Sequence, residues 1–213
     1  SSIPEGLPVA ITVALATATA RMARRGVIVR LLPAVEGLGA CTMIASDKTG
    51  TLTCNELTAK RVLLPGHGAL AVSGEGYRFE GRLETLGGAP ASESVIARAR
   101  RLAEAGVLCN EATLRREADR VVRFGDTVDV AFLVLGAKLG VDRAALLERR
   151  PEVGVIPFES VRRFAASFNR VDGRIHVSVK GAAATVVPMC RAIDGDAVLK
   201  EAERLAAAGY RVL

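Results

Sequence analysis

The sequence predicts an α/β (α+β) chain: an antiparallel sheet flanked by helices, carried on a fragment of a second α/β domain. Three observations predict it. Short apolar runs at residues 153–157, 165–170 and 174–179 are separated by turn residues, with Gly173 between the last two. Apolar positions recur at helical spacing over residues 92–108, 127–139 and 197–208. Near the N-terminus, Cys41-Thr42-Met43-Ile44-Ala45 leads straight into Asp47-Lys48-Thr49-Gly50-Thr51-Leu52-Thr53. A strand that delivers an Asp to a glycine-containing turn presents a carboxylate for covalent chemistry.

The elements follow in order. Residues 7–25 are rich in Ala, Thr and Leu without glycine, and read as one helix. Its apolar part, residues 7–20, is too short to cross a bilayer alone. Pro4 and Pro8 bracket Glu5-Gly6 and prevent regular helical hydrogen bonding there. Freed carbonyls beside a carboxylate make a cation site at membrane depth. In a soluble chain the same residues make a polar turn before a helix. Residues 26–29 and 43–45 read as short strands, and residues 33–39 as a loop or short helix between them.

Past Asn55 the texture changes. Residues 58–64 alternate and read as a strand leaving the first domain. Residues 65–92 hold seven glycines and read as hairpins and loops, with Tyr77-Arg78-Phe79-Glu80-Gly81 as a strand end. Ser92 is the candidate N-cap of a helix over residues 92–108. A second helix over residues 127–139 ends at Gly140, and a third over residues 142–149 is stopped by Pro151. The closing helix, residues 197–208, is capped by Gly209 and followed by the start of a strand.

Composition excludes several classes. The chain of 213 residues has a formal charge of +6, but its basic residues are spread out and no basic stripe is interleaved with aromatics, so no nucleic-acid partner is expected. Arg21, Arg24, Arg25 and Arg30 follow an apolar stretch, the pattern of a helix leaving a membrane on its cytoplasmic side. Four cysteines form no CxxC pair and read as reduced thiols, and His67 and His176 read as surface or sheet residues. Aromatics are 4% of the chain and Trp is absent, so a base-stacking surface has few rings to draw on. No charged leader precedes the first apolar run, and the chain is expected to be cut from something longer.

The run at Asp47 carries the chemistry. A carboxylate is a weak nucleophile and needs a cation and backbone donors around an incoming phosphoryl group. Phosphatases of the haloacid dehalogenase type place a second Asp two residues later as general acid/base. Here that position is Thr49, which cannot act as a base at neutral pH. A phospho-aspartate should therefore persist, as suits a machine that does work between phosphorylation and dephosphorylation.

Asp47 to Thr53, continuing through Cys54-Asn55, resembles the phosphorylation motif of the P-type ATPases. Ile3-Pro4-Glu5-Gly6-Leu7-Pro8 resembles the broken centre of that family's fourth transmembrane helix. The runs Arg21 to Arg30 and Pro33 to Gly39 are similar to its stalk. Leu108-Cys109-Asn110, Gly125-Asp126, Pro157-Phe158, Lys180-Gly181-Ala182 and Gly209-Tyr210-Arg211-Val212-Leu213 fall in the order of its nucleotide-binding domain. The resemblance implies three segments: residues 1–25, the cytoplasmic half of a transmembrane helix and stalk; residues 26–57, the start of a haloacid-dehalogenase-like α/β phosphorylation domain; and residues 58–213, a C-terminally truncated nucleotide-binding domain. It also implies Glu5 as a ligand of the transported cation. A Glu there, where heavy-metal pumps carry Cys, points to hard cations, in the branch of calcium and sodium/potassium pumps.

No GxxxxGK[ST] loop is present, so a P-loop ATPase is not expected and another pocket is needed. Phe158 follows Pro157 at a strand end and could stack on adenine, or fill a core. Lys180 ends a strand beside Gly181, where a cation can approach a ligand closely, though exposed strand-terminal lysines are common. Arg163 and Arg211 could reach phosphate. By resemblance, Phe158 and Lys180 match the adenine-binding Phe and the Lys of the KGA motif. Asp129 stands where the family carries an acidic residue near the adenine. The sequence departs from the family in three places: Ala183-Ala184 replaces Pro-Glu, Asp129 is one carbon shorter than Glu, and Arg163 stands for Lys.

The function implied is that of an ion pump's ATP-binding and phospho-acceptor portion. The expected cofactors are ATP and Mg2+, the latter held partly by Asp47 and the Thr49 backbone carbonyl, with Lys48 beside them. The expected partners are the transported metal cation and the remaining domains of the same pump, a multi-pass membrane protein with this segment mostly cytoplasmic. The family's TGD and GDGxND motifs do not occur, so the chain alone is expected to be inactive. Two alternatives are a stand-alone nucleotide-binding module without turnover and a soluble haloacid-dehalogenase-type phosphohydrolase, against which Thr49 argues.

Overall fold

The computed structural model describes residues 6–31, 33–117, 120–191 and 193–213. The chain divides into two compact units, Ser1–Thr53 and Cys54–Leu213.

In the first unit, α1 (Gly6–Ala23) is 18 residues long, longer than its apolar run, because it continues through Arg21. At 1.5 Å per residue that is roughly 27 Å, so by length and composition it can cross a membrane. Thr12, Thr17 and Thr19 turn their hydroxyls back onto the carbonyls of Pro8, Val13 and Leu15 at 2.8–2.9 Å, which satisfies them within the helix. The helix closes with Val27 N–H on Met22 O and Gly26 N–H on Ala23 O, both 3.0 Å. Pro33 sits at the first position of α2 (Pro33–Gly39), where its missing N–H costs nothing.

The strands expected at residues 26–29 and 43–45 are absent. Both segments are extended or irregular, and Met43 and Ile44 lie open to solvent. A strand exists only with a partner for its ladder, and the described residues of this unit offer none. Lys48 to Leu52 form an irregular turn in which Gly50 has φ +78°, and Thr53 N–H closes it on Lys48 O at 3.2 Å.

The described residues of the second unit form three antiparallel sheets. Strands β1 (Arg61–Leu64), β2 (Gly68–Val72) and β3 (Leu83–Thr85) form a meander. It buries Val62, Leu64, Leu70, Val72 and Leu83 against Ala99 and Ala103 of α3 (Glu93–Leu108) and Leu135 of α4 (Thr127–Lys138). A hairpin of β4 (Thr113–Glu117) and β5 (Arg120–Phe124) follows α3. After α5 (Arg143–Arg149), strands β6 (Glu152–Ile156), β7 (Phe164–Val171) and β8 (Arg174–Gly181) make the third sheet, with Gly173 at the β7–β8 turn. The chain ends with α6 (Ala183–Val186) and α7 (Gly195–Ala207).

Helix starts follow their caps. Asp126, Asp142 and Asp194 accept from Val128, Ala145 and Ala197 N–H at 2.8, 2.7 and 3.0 Å. Ser92 occupies its N-cap position but spends its hydroxyl on Ser94 Oγ, at 3.2 Å. Helices α3 and α4 touch closely: a Cβ on Gly106 would lie 2.2 Å from Phe132, and one on Gly136 would lie 2.5 Å from Val107. Together they form a second core with Tyr77, Ala112 and Leu146.

Two strand ends differ from expectation. Residues 77–81 are loop, because Tyr77 turns inward and Lys138 Nζ pins the preceding loop through Ser73 O and Gly74 O at 2.8 and 2.9 Å. Residues 210–213 have no ladder partner among the described residues and stay irregular.

Candidate functional site

The loop that closes α3 is fixed by a buried amide. Asn110 Nδ2 donates to Gly106 O (3.2 Å) and Asp129 O (2.8 Å), and its Oδ1 accepts from Ala112 N–H at 2.9 Å. Arg143 from α5 reaches over and donates to the carbonyls of Asn110 and Ala112. This clamp aims Glu111 N–H at Asp129 Oδ2, 2.9 Å away. The other carboxylate oxygen, Oδ1, accepts from Lys180 Nζ at the end of β8. Asp129 is buried in the first turn of α4, and its helix N-terminus favours the carboxylate. Lys180 also lies over the Phe132 ring, 5.8 Å from its centre.

Around this pair opens a cavity of about 630 Å3, a size that suits a small-molecule ligand. Its walls come from the end of α3, the β5–α4 junction, the three strands β6, β7 and β8, the 157–163 connection and residues 211–213. Asp129, Phe158, Arg163, Lys180, Gly181 and Arg211, the six residues singled out from the sequence for nucleotide contact, all line it. Phe158 and the guanidinium-bearing Arg163 and Arg211 are exposed. Among the described residues neither arginine is in an ion pair, which leaves both cations for a ligand. Arg163 sits at φ +58°, held by its N–H on Glu159 O (2.8 Å) and its carbonyl on Ala182 N–H (3.0 Å).

Cys109 lines the same cavity and is buried. Burial pushes its thiol up, the Lys180 cation draws it partly back, and Asp129 and Glu111 add to the rise. The raised value means that the buried thiol stabilises the fold below its ordinary 9.0, and that this contribution is lost as pH climbs above it. At pH 8, iodoacetamide should alkylate the exposed Cys41, Cys54 and Cys190 quickly, and Cys109 only after denaturant is added, as counted by mass spectrometry. Four adducts forming at one rate in the native chain would show Cys109 to be open.

A second hollow, about 740 Å3, lies beside Tyr77 and Arg123. Its groups largely satisfy one another: Arg123 Nη1 donates to Tyr77 Oη at 2.6 Å and to Asn55 O at 2.9 Å, and Arg116 pairs with Glu80 at 3.4 Å.

In the other unit, Asp47, Lys48 and Thr49 sit exposed in the turn before Thr53. Glu5 lies outside the described residues. Phe124, Phe132 and Ser167 line the cavity without having been singled out from the sequence, and Asn110, quoted there only within the Leu108-Cys109-Asn110 run, lines it too. The rarity of aromatic rings was the signal for the two phenylalanines.

The model of the family described as "P-type ATPase, cytoplasmic domain N" matches residues 98–213, which include this cavity. Over 223 residues the chain is 40% identical to the "Probable cation-transporting ATPase F" of Mycobacterium tuberculosis, covering 100% of this chain and 24% of that protein. It is 36% identical over 227 residues to the "Cation-transporting ATPase pma1" of Synechocystis sp., covering 100% of this chain and 25% of that one. To the "Calcium-transporting ATPase type 2C member 2" of Mus musculus it is 35% identical over 197 residues, covering 89% of this chain and 20% of that one. The chain thus spans about a quarter or less of the length of these relatives, and it belongs to the P-type ATPase family, matching it through the cytoplasmic N domain.

Proposed function

We propose that this chain is the ATP-binding and phospho-acceptor portion of an ion pump that couples ATP hydrolysis, through an aspartyl phosphate on Asp47, to cation transport across a membrane. The observation that carries this reading is the convergence of Asp129, Phe158, Arg163, Lys180, Gly181 and Arg211 on one cavity. A base stacks on Phe158, the buried Asp129–Lys180 pair recognises its polar edge, and Arg163 and Arg211 meet phosphates. The cavity fits such a ligand in size and in having two free guanidinium groups beside an exposed ring.

Asp47 is the nucleophile. Its carboxylate oxygen attacks the γ-phosphorus, the bond to the β,γ-bridging oxygen breaks, and ADP leaves with that oxygen. Water later hydrolyses the acyl phosphate. Lys48 adds positive charge beside the carboxylate, and Thr49 supplies no second base, so the acyl phosphate is long-lived. Asp47 with the Thr49 carbonyl gives the sparse oxygen set that magnesium takes when phosphate and water complete its shell, and the ion, when bound, neutralises charge on the transferred phosphoryl group. Among the described residues no group of three His, Cys, Asp or Glu offers a fuller cage.

In this reading residues 1–25 are the cytoplasmic half of a membrane helix and stalk, 26–57 begin the phosphorylation domain, and 58–213 form the nucleotide domain. The helix α1 and the arginines after it support a place in a multi-pass membrane protein. Glu5 as a ligand of the transported cation rests on its sequence between Pro4 and Pro8.

Calorimetric titration of the chain with ATP tests the nucleotide site. Saturable binding is expected, weakened about five- to 150-fold by Phe158→Ala, since base stacking contributes about 1–3 kcal/mol. Lys180→Ala should weaken it similarly. A folded chain that gives no heat with ATP overturns the reading.

A further inference from the structure

We propose that Phe124 is the second wall of the base site, so that Phe124 and Phe158 take the two faces of one nucleobase. The inference rests on the nucleotide reading and deepens it. Of the six phenylalanines in the chain, only Phe124 and Phe158 are exposed, 77% and 54% respectively, and both line the same cavity. In a chain with two tyrosines and no tryptophan, two open phenyl rings at one cavity are a large share of its aromatic surface.

The backbone holds Phe124 in place. It ends β5, paired across the hairpin with Thr113. Gly125 follows at φ +110°, pressed so close to the residue before β4 that a Cβ there would lie 2.8 Å from Ala112 Cα. Asp126 then caps α4, the helix that carries Asp129. Phe124 and Asp129 are therefore mounted on one rigid junction, whereas Phe158 comes from the 157–163 connection. That connection is itself braced, with Arg162 donating to Pro157 O at 3.0 Å and paired with Glu159 at 3.1 Å. A purine has two π faces, and a single ring covers one of them. The Arg163 and Arg211 cations on the same rim select a base that carries phosphates over a plain aromatic.

Calorimetry on the full chain with ATP and with inorganic tripolyphosphate tests the proposal. Phe124→Ala should raise the Kd for ATP about five- to 150-fold, as expected for one lost stacking face, and leave the Kd for tripolyphosphate unchanged. Phe124→Tyr should restore ATP affinity. The thermal midpoint should not move, because the ring is exposed. The chain has no tryptophan, so Phe124→Trp places a single indole at the site, and its emission, excited selectively over the two tyrosines, should be quenched by ATP but not by tripolyphosphate. Unchanged ATP affinity in Phe124→Ala, alongside a loss in Phe158→Ala, overturns the clamp and leaves the nucleotide site standing. Equal losses for ATP and tripolyphosphate also overturn it. Unchanged affinity in both alanine variants removes the base site itself, and the clamp with it.

Discussion

Gly181→Val should lower the unfolding free energy of the chain by about 3 kcal/mol, since overpacking against fixed backbone costs 1–3 kcal/mol or more. Gly181 is paired with Phe164 across β7 and β8, and Ala182 N–H is bonded to Arg163 O at 3.0 Å. A Cβ at Gly181 would stand 2.3 Å from Arg163 O and 2.7 Å from Phe164 Cα. Both obstacles are backbone, so no side chain can swing away. The sheet must splay at its cavity end, which Arg163, Lys180 and Gly181 line. The thermal midpoint should fall by roughly 6–12 °C, at about 2–4 °C per kcal/mol for a chain of this size. ATP affinity should fall with it. Gly173→Ala is the control at the other end of the same hairpin. There a Cβ meets nothing within 4 Å, and only the positive φ of +75° is penalised, at about 1 kcal/mol. Equal midpoints for the two variants would show that close backbone approach at Gly181 does not constrain the site.

Much of the second unit was legible in the sequence because its signals are local. Asp126, Asp142 and Asp194 stand directly before α4, α5 and α7 and cap them, and Gly140, Pro151 and Gly209 follow within two residues of their ends. Gly173 located the β7–β8 turn. The β4–β5 hairpin carries no local strand signal, because Arg115, Arg116, Glu117 and Arg123 put charge along both strands, and the alternation of apolar residues that marks a half-buried strand is missing. The strands expected at residues 26–29 and 43–45 failed for another reason. Their apolar character is real, but a strand is a property of a pair, and nothing in those residues names the partner.

The site divides the same way. Lys180 and Gly181 stand out locally as a cation and a glycine at a strand end, and Phe158 through the scarcity of rings. Phe124 is as scarce, but it sits at the end of the charged hairpin that the pattern concealed. The clamp of Asn110 and Arg143 on the 110–112 loop is invisible to any local rule, because Arg143 is 33 residues from the carbonyl it holds. A buried asparagine is a cue only once its burial is known.

Removing one member of the Asp129–Lys180 pair should be among the most damaging changes available to the fold as well as to the site. The two residues are 51 apart in sequence, and each side chain is 12% exposed. Asp129→Ala strands the Lys180 ammonium beside Phe132 and leaves Glu111 N–H without its acceptor. Breaking a buried pair from one side costs about 3–5 kcal/mol, because the remaining charge keeps its desolvation penalty and loses its compensation. Asp129→Asn has one acceptor oxygen where the carboxylate has two, so it keeps either the Glu111 N–H or the Lys180 Nζ bond but not both, and its loss should be only somewhat smaller. In the double variant Asp129→Ala/Lys180→Met the stranded charge is gone, and part of the stability should return, which urea denaturation would read as a positive coupling between the two sites. ATP binding should not return with it, since both polar groups proposed to face the base are then absent. That divergence separates the two roles of the pair: recovery of stability without recovery of affinity places Asp129 and Lys180 in ligand recognition, whereas recovery of both would reduce the pair to a structural bolt between α4 and β8.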